Sequence, residues 1–127
     1  MTTRPGTLLE VTGLTSHYGR IQALKGLDLA VAEGELLALV GANGAGKTTL
    51  LRTISGVQPA SGGTIRFAGR DITRMRAAER VRLGIAQVPE GRQVFGPLSV
   101  EDNLMLGAYT RPRSDVAEDI ERIYAMF

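Results

Sequence analysis

One nine-residue stretch constrains the fold of this chain more than any other. The apolar run Leu36-Leu37-Ala38-Leu39-Val40 leads directly into Gly41-Ala42-Asn43-Gly44-Ala45-Gly46-Lys47-Thr48-Thr49. Gly41, Gly46, Lys47 and Thr48 occupy the four fixed places of the phosphate-loop pattern G-x-x-x-x-G-K-S/T. From Gly41 through Asn43, Gly44 and Ala45, glycines and small residues let successive backbone N–H groups curl around an anion without a Cβ in the way. A helix opening at Lys47 then points free N–H groups and a partial positive charge at the same anion. Lys47 reaches the outer phosphates, and the Thr48 hydroxyl can complete the coordination of a Mg²⁺ ion that arrives with a nucleotide. The flanks agree with this reading. A short buried-strand pattern precedes the loop, and Leu50, Leu51 and Ile54 follow at helical spacing. A glycine-rich turn with a chance lysine would not bring all four identities into that context.

With 127 residues, 43% of them hydrophobic, the chain supports one modest domain. A net charge of +2 does not imply a nucleic-acid partner. Arg66, Arg70, Arg74, Arg76, Arg80 and Arg82 crowd one region, but Asp71 and Glu79 interrupt them, and the run reads as a solvated helix face. The absence of cysteine excludes disulfides, thiolate metal sites and thiol nucleophiles. No run of eighteen apolar residues is present, and the first six residues lack the apolar core of a signal peptide, so a soluble, cytoplasmic chain is expected.

Leu8–Thr12 predicts a first strand ended by Gly13, and Leu27–Val31 alternates as a second before the turn at Glu33-Gly34; alternation suggests an antiparallel sheet with one wet face. The polar segment Ser16–Arg20 lies between them. Its Tyr18 is either a packing residue or a stacking platform for a flat base. His17, the only histidine, has no acidic companions for a metal site and is assigned no chemistry. Beyond the phosphate-loop helix, residues 56–63 read as a loop, Thr64–Ala68 as a strand, 76–83 as a weak helix and Ile85–Val88 as a short strand stopped by Pro89. Glu90, Arg92 and Gln93 fall in a strand-end loop, where α/β sheets place ligands, although solvated loop residues are the default for the last two. Ser99 caps a helix with Asp102 three residues on, running to about Tyr109. Ser114-Asp115 opens a final helix with Val116, Ile120, Ile123, Tyr124 and Phe127 on one face.

Taken together, Tyr18-Gly19 before a hairpin, the Gly41–Thr49 loop, Ser61-Gly62-Gly63-Thr64-Ile65 and Leu98-Ser99-Val100-Glu101-Asp102-Asn103-Leu104 resemble the ATP-binding subunit of ABC transporters. The strings Gly69-Arg70-Asp71-Ile72-Thr73 and Val88-Pro89-Glu90-Gly91-Arg92-Gln93-Val94-Phe95 look most like the ATPase of branched-chain amino acid importers. The resemblance implies an α/β fold: an incomplete P-loop NTPase (ABC ATPase) domain with an antiparallel β portion and the start of a helical subdomain. Residues 1–97 would form the β portion and phosphate-loop core, and 98–127 the start of the helical subdomain. ATP and Mg²⁺ are the implied cofactors, bound by Tyr18, Gly41, Asn43, Gly44, Ala45, Gly46, Lys47, Thr48 and Thr49, with Thr48 and Glu90 at the metal. Tyr18 holds the family position that stacks on adenine, which favours stacking over plain packing.

Two departures from the family pattern qualify that expectation. Glu90 stands where the family usually has a glutamine that touches Mg²⁺ and the attacking water. A carboxylate approaches Mg²⁺ directly or through water, yet it adds negative charge and donates no hydrogen bond unless protonated. Family members also continue well beyond this length into a Leu-Ser-Gly-Gly signature, a Walker B strand and a switch histidine, none of which is in these residues. The parent would couple ATP hydrolysis to import, while this stretch alone is expected to be inactive. Implied partners are transmembrane permease subunits and a second ATP-binding subunit, in a homo- or heterodimer, and no nucleic acid. The location would be cytoplasmic, peripheral on the inner face of the plasma membrane. A non-catalytic nucleotide-binding fragment and a non-transport ABC ATPase are the alternatives.

Overall fold

A computed structural model describes residues 6–40, 46–88 and 96–127. The chain forms two compact units, Met1–Gln87 and Val88–Phe127.

The first unit is built on an antiparallel hairpin. Strand β1, Thr7–Tyr18, pairs with β2, Ile21–Ala32, and only Gly19 and Arg20 separate Tyr18 from its partner Ile21. Strand β3, Gly62–Phe67, pairs with the other edge of β1, and the two-residue β4, Arg70–Asp71, pairs with β3, giving the order β2-β1-β3-β4. Register decides what is buried. Val11 faces Leu29 on one side and Ile65 on the other, and Leu9 faces Val31 and Phe67. One sheet face is therefore apolar. Val11, Leu14, Leu24, Ile65 and Ile72 form its buried core, with Leu9, Leu27, Leu29 and Phe67 packed around them.

The first strand runs past the glycine expected to end it. A register shift lies between Val11 and Leu14, where the Gly13 N–H is taken by the Asp28 carboxylate at 2.6 Å. That extra residue returns Leu14 to the face of Val11, as a bulge does, so the strand continues to Tyr18. Gly63 is needed opposite. It sits at φ 81°, and a Cβ on it would fall 2.4 Å from the Gly13 carbonyl oxygen.

Helix α1, Lys47–Ser55, lays Leu50 and Ile54, one turn apart, on the core. Thr49 and Thr53 are buried beside them, and the Thr53 hydroxyl bonds back to the Thr49 carbonyl at 2.7 Å. Helix α2, Ala77–Arg82, falls where the sequence predicts a weak helix over 76–83, after a short β4 that the sequence does not announce. The expected solvated arginine face, however, is broken by Arg80, which is only 3% exposed. Its guanidinium donates to the carbonyls of Thr53 (2.8 Å), Ile54 (2.9 Å), Met75 (2.9 Å) and Thr73 (3.0 Å). A cation is stable there because the last carbonyls of α1 stand at the negative end of the helix dipole, and the weak 3.3 Å bond that the Thr53 carbonyl accepts from the Gly56 N–H leaves it able to accept a second donor.

Two strand expectations fail. Residues 36–40 and 85–88 form no strand, and Leu36, Val40 and Val88 are each more than 90% exposed. Both runs are apolar at nearly every position, the pattern of a parallel strand covered on both faces. Such a strand needs neighbours to complete its ladder, and the sheet among the described residues is antiparallel and made of β1 to β4 only.

In the second unit, α3, Val100–Gly107, starts where Ser99 accepts the Asp102 N–H at 3.1 Å, as the capping pattern predicts. Helix α4, Arg113–Met126, follows the Pro112 turn, and Arg111 bridges to Asp119 on it at 2.9 Å. Val116, Ile120 and Ile123 are half-buried, whereas Tyr124 and Phe127 stand exposed.

Candidate functional site

The start of α1 and the tip of the β1–β2 hairpin form one corner. Gly46 precedes the helix in left-handed conformation, φ 91°, and its carbonyl accepts the Leu50 N–H at 2.8 Å to begin the helical ladder. Glycine is required there twice over. A side chain would be strained at that φ, and its Cβ would lie 3.1 Å from the Ala23 carbonyl and 3.2 Å from the Leu24 side chain. The cap position thus offers no side-chain oxygen to the first-turn N–H groups. No acidic residue stands in that turn either. A helix start with these properties favours an anion.

Three of the predicted site residues open the helix in sequence. Lys47 is half-buried, Thr48 is exposed and Thr49 is buried. Tyr18, at the end of β1, reaches the same turn, where its hydroxyl accepts a hydrogen bond from Thr49 Oγ1 at 3.4 Å with 44% of the residue still exposed. The structure therefore brings Tyr18, Gly46, Lys47, Thr48 and Thr49 to one corner. Gly41, Asn43, Gly44, Ala45 and Glu90 lie outside the described residues.

The donor set suits a nucleotide polyphosphate. The first turn of α1 combines backbone N–H groups without a side-chain cap, a lysine and an exposed threonine, and Tyr18 is hydrogen-bonded to Thr49 in the same turn. Among the described residues no group of three or more His, Cys, Asp or Glu could hold a metal ion. A Mg²⁺ here would take Thr48 as a ligand and the rest from phosphate and water, the habit of that ion at phosphate sites.

The family model for the ABC transporter matches residues 24–126. This chain belongs to that family. It is 38% identical over 120 residues to the high-affinity branched-chain amino acid transport ATP-binding protein BraG of Pseudomonas aeruginosa, covering 94% of this chain and 52% of that protein. It is 41% identical over 113 residues to the sulfate/thiosulfate import ATP-binding protein CysA of Methylococcus capsulatus, covering 89% of this chain and 32% of that one. Among solved structures, the ATP-binding cassette MJ1267 of an ABC transporter superposes with a TM-score of 0.75 at 30% identity, over 83% of this chain and 42% of that one. The chain thus spans about half the length of BraG. The fold expected from sequence, part of an ABC ATPase domain with an antiparallel β portion, holds.

Sequence reasoning missed two residues that hold α1 and the end of β1 in place. Arg80 ties the far end of α1 to α2, and burial lowers the pKa of its guanidinium without neutralising it. No sequence signal separates it from its exposed neighbours Arg76 and Arg82. Gln58, in the loop after α1, donates from its side-chain amide to the His17 carbonyl at 2.9 Å. Beside it Ser16 donates to the Pro59 carbonyl at 2.9 Å, and His17 Nδ1 meets the Ser61 hydroxyl at 2.7 Å. His17 is thus a structural contact.

Proposed function

We propose that these residues are the phosphate-loop half of an ATP-binding subunit that energises an importer, with branched-chain amino acids as the cargo. The observation that carries the reading is the uncapped start of α1, with Lys47 and Thr48 in its first turn and Tyr18 hydrogen-bonded to Thr49. In this proposal the loop from Gly41 through Asn43, Gly44 and Ala45 to Gly46 wraps the phosphates. Lys47 neutralises their charge, Thr48 ligates Mg²⁺ and Tyr18 stacks on adenine. Glu90 approaches the metal, directly or through water. Bound ATP supplies the phosphoanhydride whose hydrolysis drives transport in the parent protein. The carboxylate that activates water would come from outside residues 1–127.

The same proposal divides the chain into a β portion with phosphate-loop core, 1–97, and the start of a helical subdomain, 98–127. It gives the parent a second ATP-binding subunit and transmembrane permease subunits, which would hold it at the inner face of the membrane. No helix among the described residues is long and apolar enough to cross a membrane. The amino-acid assignment is supported by the name of the BraG relative and by the two strings around Asp71 and Glu90.

Lys47→Ala tests the nucleotide site. Loss of a charge-assisted contact weakens MgATP binding by about tenfold or more, and unchanged affinity in the full chain would remove the basis of the reading. Cargo is tested by comparing leucine and sulfate uptake in cells with and without the parent gene. Loss of leucine uptake alone is expected. Loss of sulfate uptake with leucine uptake intact would reassign the cargo.

A further inference from the structure

The last three residues of β1 are gripped by the segments at both ends of α1. At the helix start, Thr49 Oγ1 donates to the Tyr18 hydroxyl at 3.4 Å. Beyond the helix end, the Gln58 amide donates to the His17 carbonyl at 2.9 Å and to the Ser16 hydroxyl at 3.3 Å. Ser16, fully buried, donates its own hydroxyl hydrogen bond to the Pro59 carbonyl at 2.9 Å. The Ser61 hydroxyl meets His17 Nδ1 at 2.7 Å and Thr15 Oγ1 at 3.0 Å. The Ser61 N–H also donates to the Thr15 carbonyl at 2.8 Å.

These contacts have a common effect. The carbonyl of residue 17 belongs to the peptide plane that leads into Tyr18, so fixing it fixes the N–Cα bond of Tyr18, and the pairing of Tyr18 with Ile21 restrains the rotation about that bond that aims the side chain. Gln58 is half-buried, and although its bond to the exposed His17 carbonyl lies at the surface, its second bond, to the buried Ser16 hydroxyl, anchors the amide. The Tyr18 ring, by contrast, keeps 44% of its residue surface open. An aromatic that is held by its backbone and its hydroxyl while its surface stays open is a platform and not a core residue. The grip comes from Thr49, in the first turn of α1, and from Gln58, just beyond its last turn, and on the proposed reading the same first turn presents Lys47 and Thr48 to the phosphates. One rigid element therefore sets the distance between the base subsite and the phosphate subsite.

We propose that Gln58 is a positioning residue for base recognition: it holds the peptide before Tyr18 so that the ring meets the purine while α1 holds the phosphates. The inference rests on the reading of Tyr18 as the adenine platform, and the test separates the two. The full chain is titrated with MgATP and with magnesium tripolyphosphate, which carries the phosphates without a base. Tyr18→Ala is expected to weaken MgATP about tenfold, the scale of one aromatic–base stack, and to leave tripolyphosphate unchanged. Gln58→Leu, close in volume but without a donor, is expected to weaken MgATP about fivefold, the equivalent of one hydrogen bond, again sparing tripolyphosphate. The double variant should bind no more weakly than Tyr18→Ala alone, because Gln58 acts through Tyr18. If Tyr18→Ala changes the ratio of the two affinities and Gln58→Leu does not, the positioning role is wrong and the platform stands. If Tyr18→Ala leaves the ratio unchanged, the platform reading falls and takes the inference with it. An equal loss of both ligands in Gln58→Leu would show a general structural role and overturn the proposal.

Discussion

Replacing Arg80 by methionine should be the most costly single change on the exposed-looking arginine run. The guanidinium makes four bonds to backbone carbonyls, two of them at the end of α1, and it does so at 3% exposure. Each hydrogen bond from a charged donor is worth about 1.5–3 kcal/mol, and a cation at a helix C-terminus adds up to about 2 kcal/mol. These do not sum. Methionine also relieves the cost of burying a charge, and that relief offsets several kcal/mol. What remains is the stranding of the Ile54, Thr73 and Met75 carbonyls where water has little access, while Thr53 keeps only its 3.3 Å bond from the Gly56 N–H, giving a net loss of about 3 kcal/mol. Urea denaturation followed by far-ultraviolet circular dichroism measures this, with Arg82→Met as the exposed control expected within about 0.5 kcal/mol of the parent. Arg80→Lys should fall between the two, since one ammonium cannot span four carbonyls set around a planar fork. Equal midpoints for Arg80→Met and Arg82→Met would refute the argument that α1 is held from its C-terminal end.

Two further perturbations test the sheet. Gly63→Ala places a Cβ 2.4 Å from the Gly13 carbonyl oxygen and adds strain at φ 81°, for a loss of about 3 kcal/mol by urea denaturation. Gly69→Ala, at the same φ but with nothing within 4 Å of the new Cβ, isolates the strain at about 1 kcal/mol, and equal losses for the two would deny the close approach of β1 and β3. At low pH, Asp71 gives a signed expectation. The Thr73 hydroxyl and then the Thr73 N–H hold its carboxyl below the usual aspartate range, and the carboxylate accepts both, at 2.6 Å and 2.9 Å. A lowered folded-state pKa stabilises the fold above the unfolded value of about 3.9 and loses that contribution as pH falls through the folded one. Asp71→Asn should therefore show a shallower fall in stability below about pH 4; an unchanged slope would contradict it. Part of the slope should survive, because Arg111 lowers the pKa of Asp119 in the same direction.

What the sequence revealed and what it hid follow a physical division. The phosphate-loop helix, the Ser99 cap and the hairpin were legible because backbone chemistry local to a few residues determines them. Gly46 must be glycine at φ 91°, Ser99 must accept from Asp102, and alternation from Leu27 to Val31 needs one buried face. The errors arose where a distant partner decides the outcome. Arg80 reads as a surface charge until the C-terminal carbonyls of α1 stand beside it. Leu36–Val40 has the composition of a central strand, but strand formation depends on a neighbouring ladder that β1 to β4 do not provide.

The same division explains why Gln58 was invisible and why it matters. Nothing in Gly56-Val57-Gln58-Pro59 distinguishes a loop amide from a functional one, and its meaning comes only from the His17 carbonyl it reaches. A phosphate loop can bind any polyphosphate through N–H groups and charge, so selectivity for a nucleotide has to come from outside the loop. On the proposed reading that addition is the end of β1, held by Thr49 in the first turn of α1 and by Gln58 beyond its last. That reading makes nucleotide selectivity depend on tertiary contacts of the hairpin, and phosphate affinity on the motif itself. Changes at Gln58 and at Lys47 should accordingly separate in a comparison of MgATP with tripolyphosphate, Lys47 lowering both and Gln58 only the first.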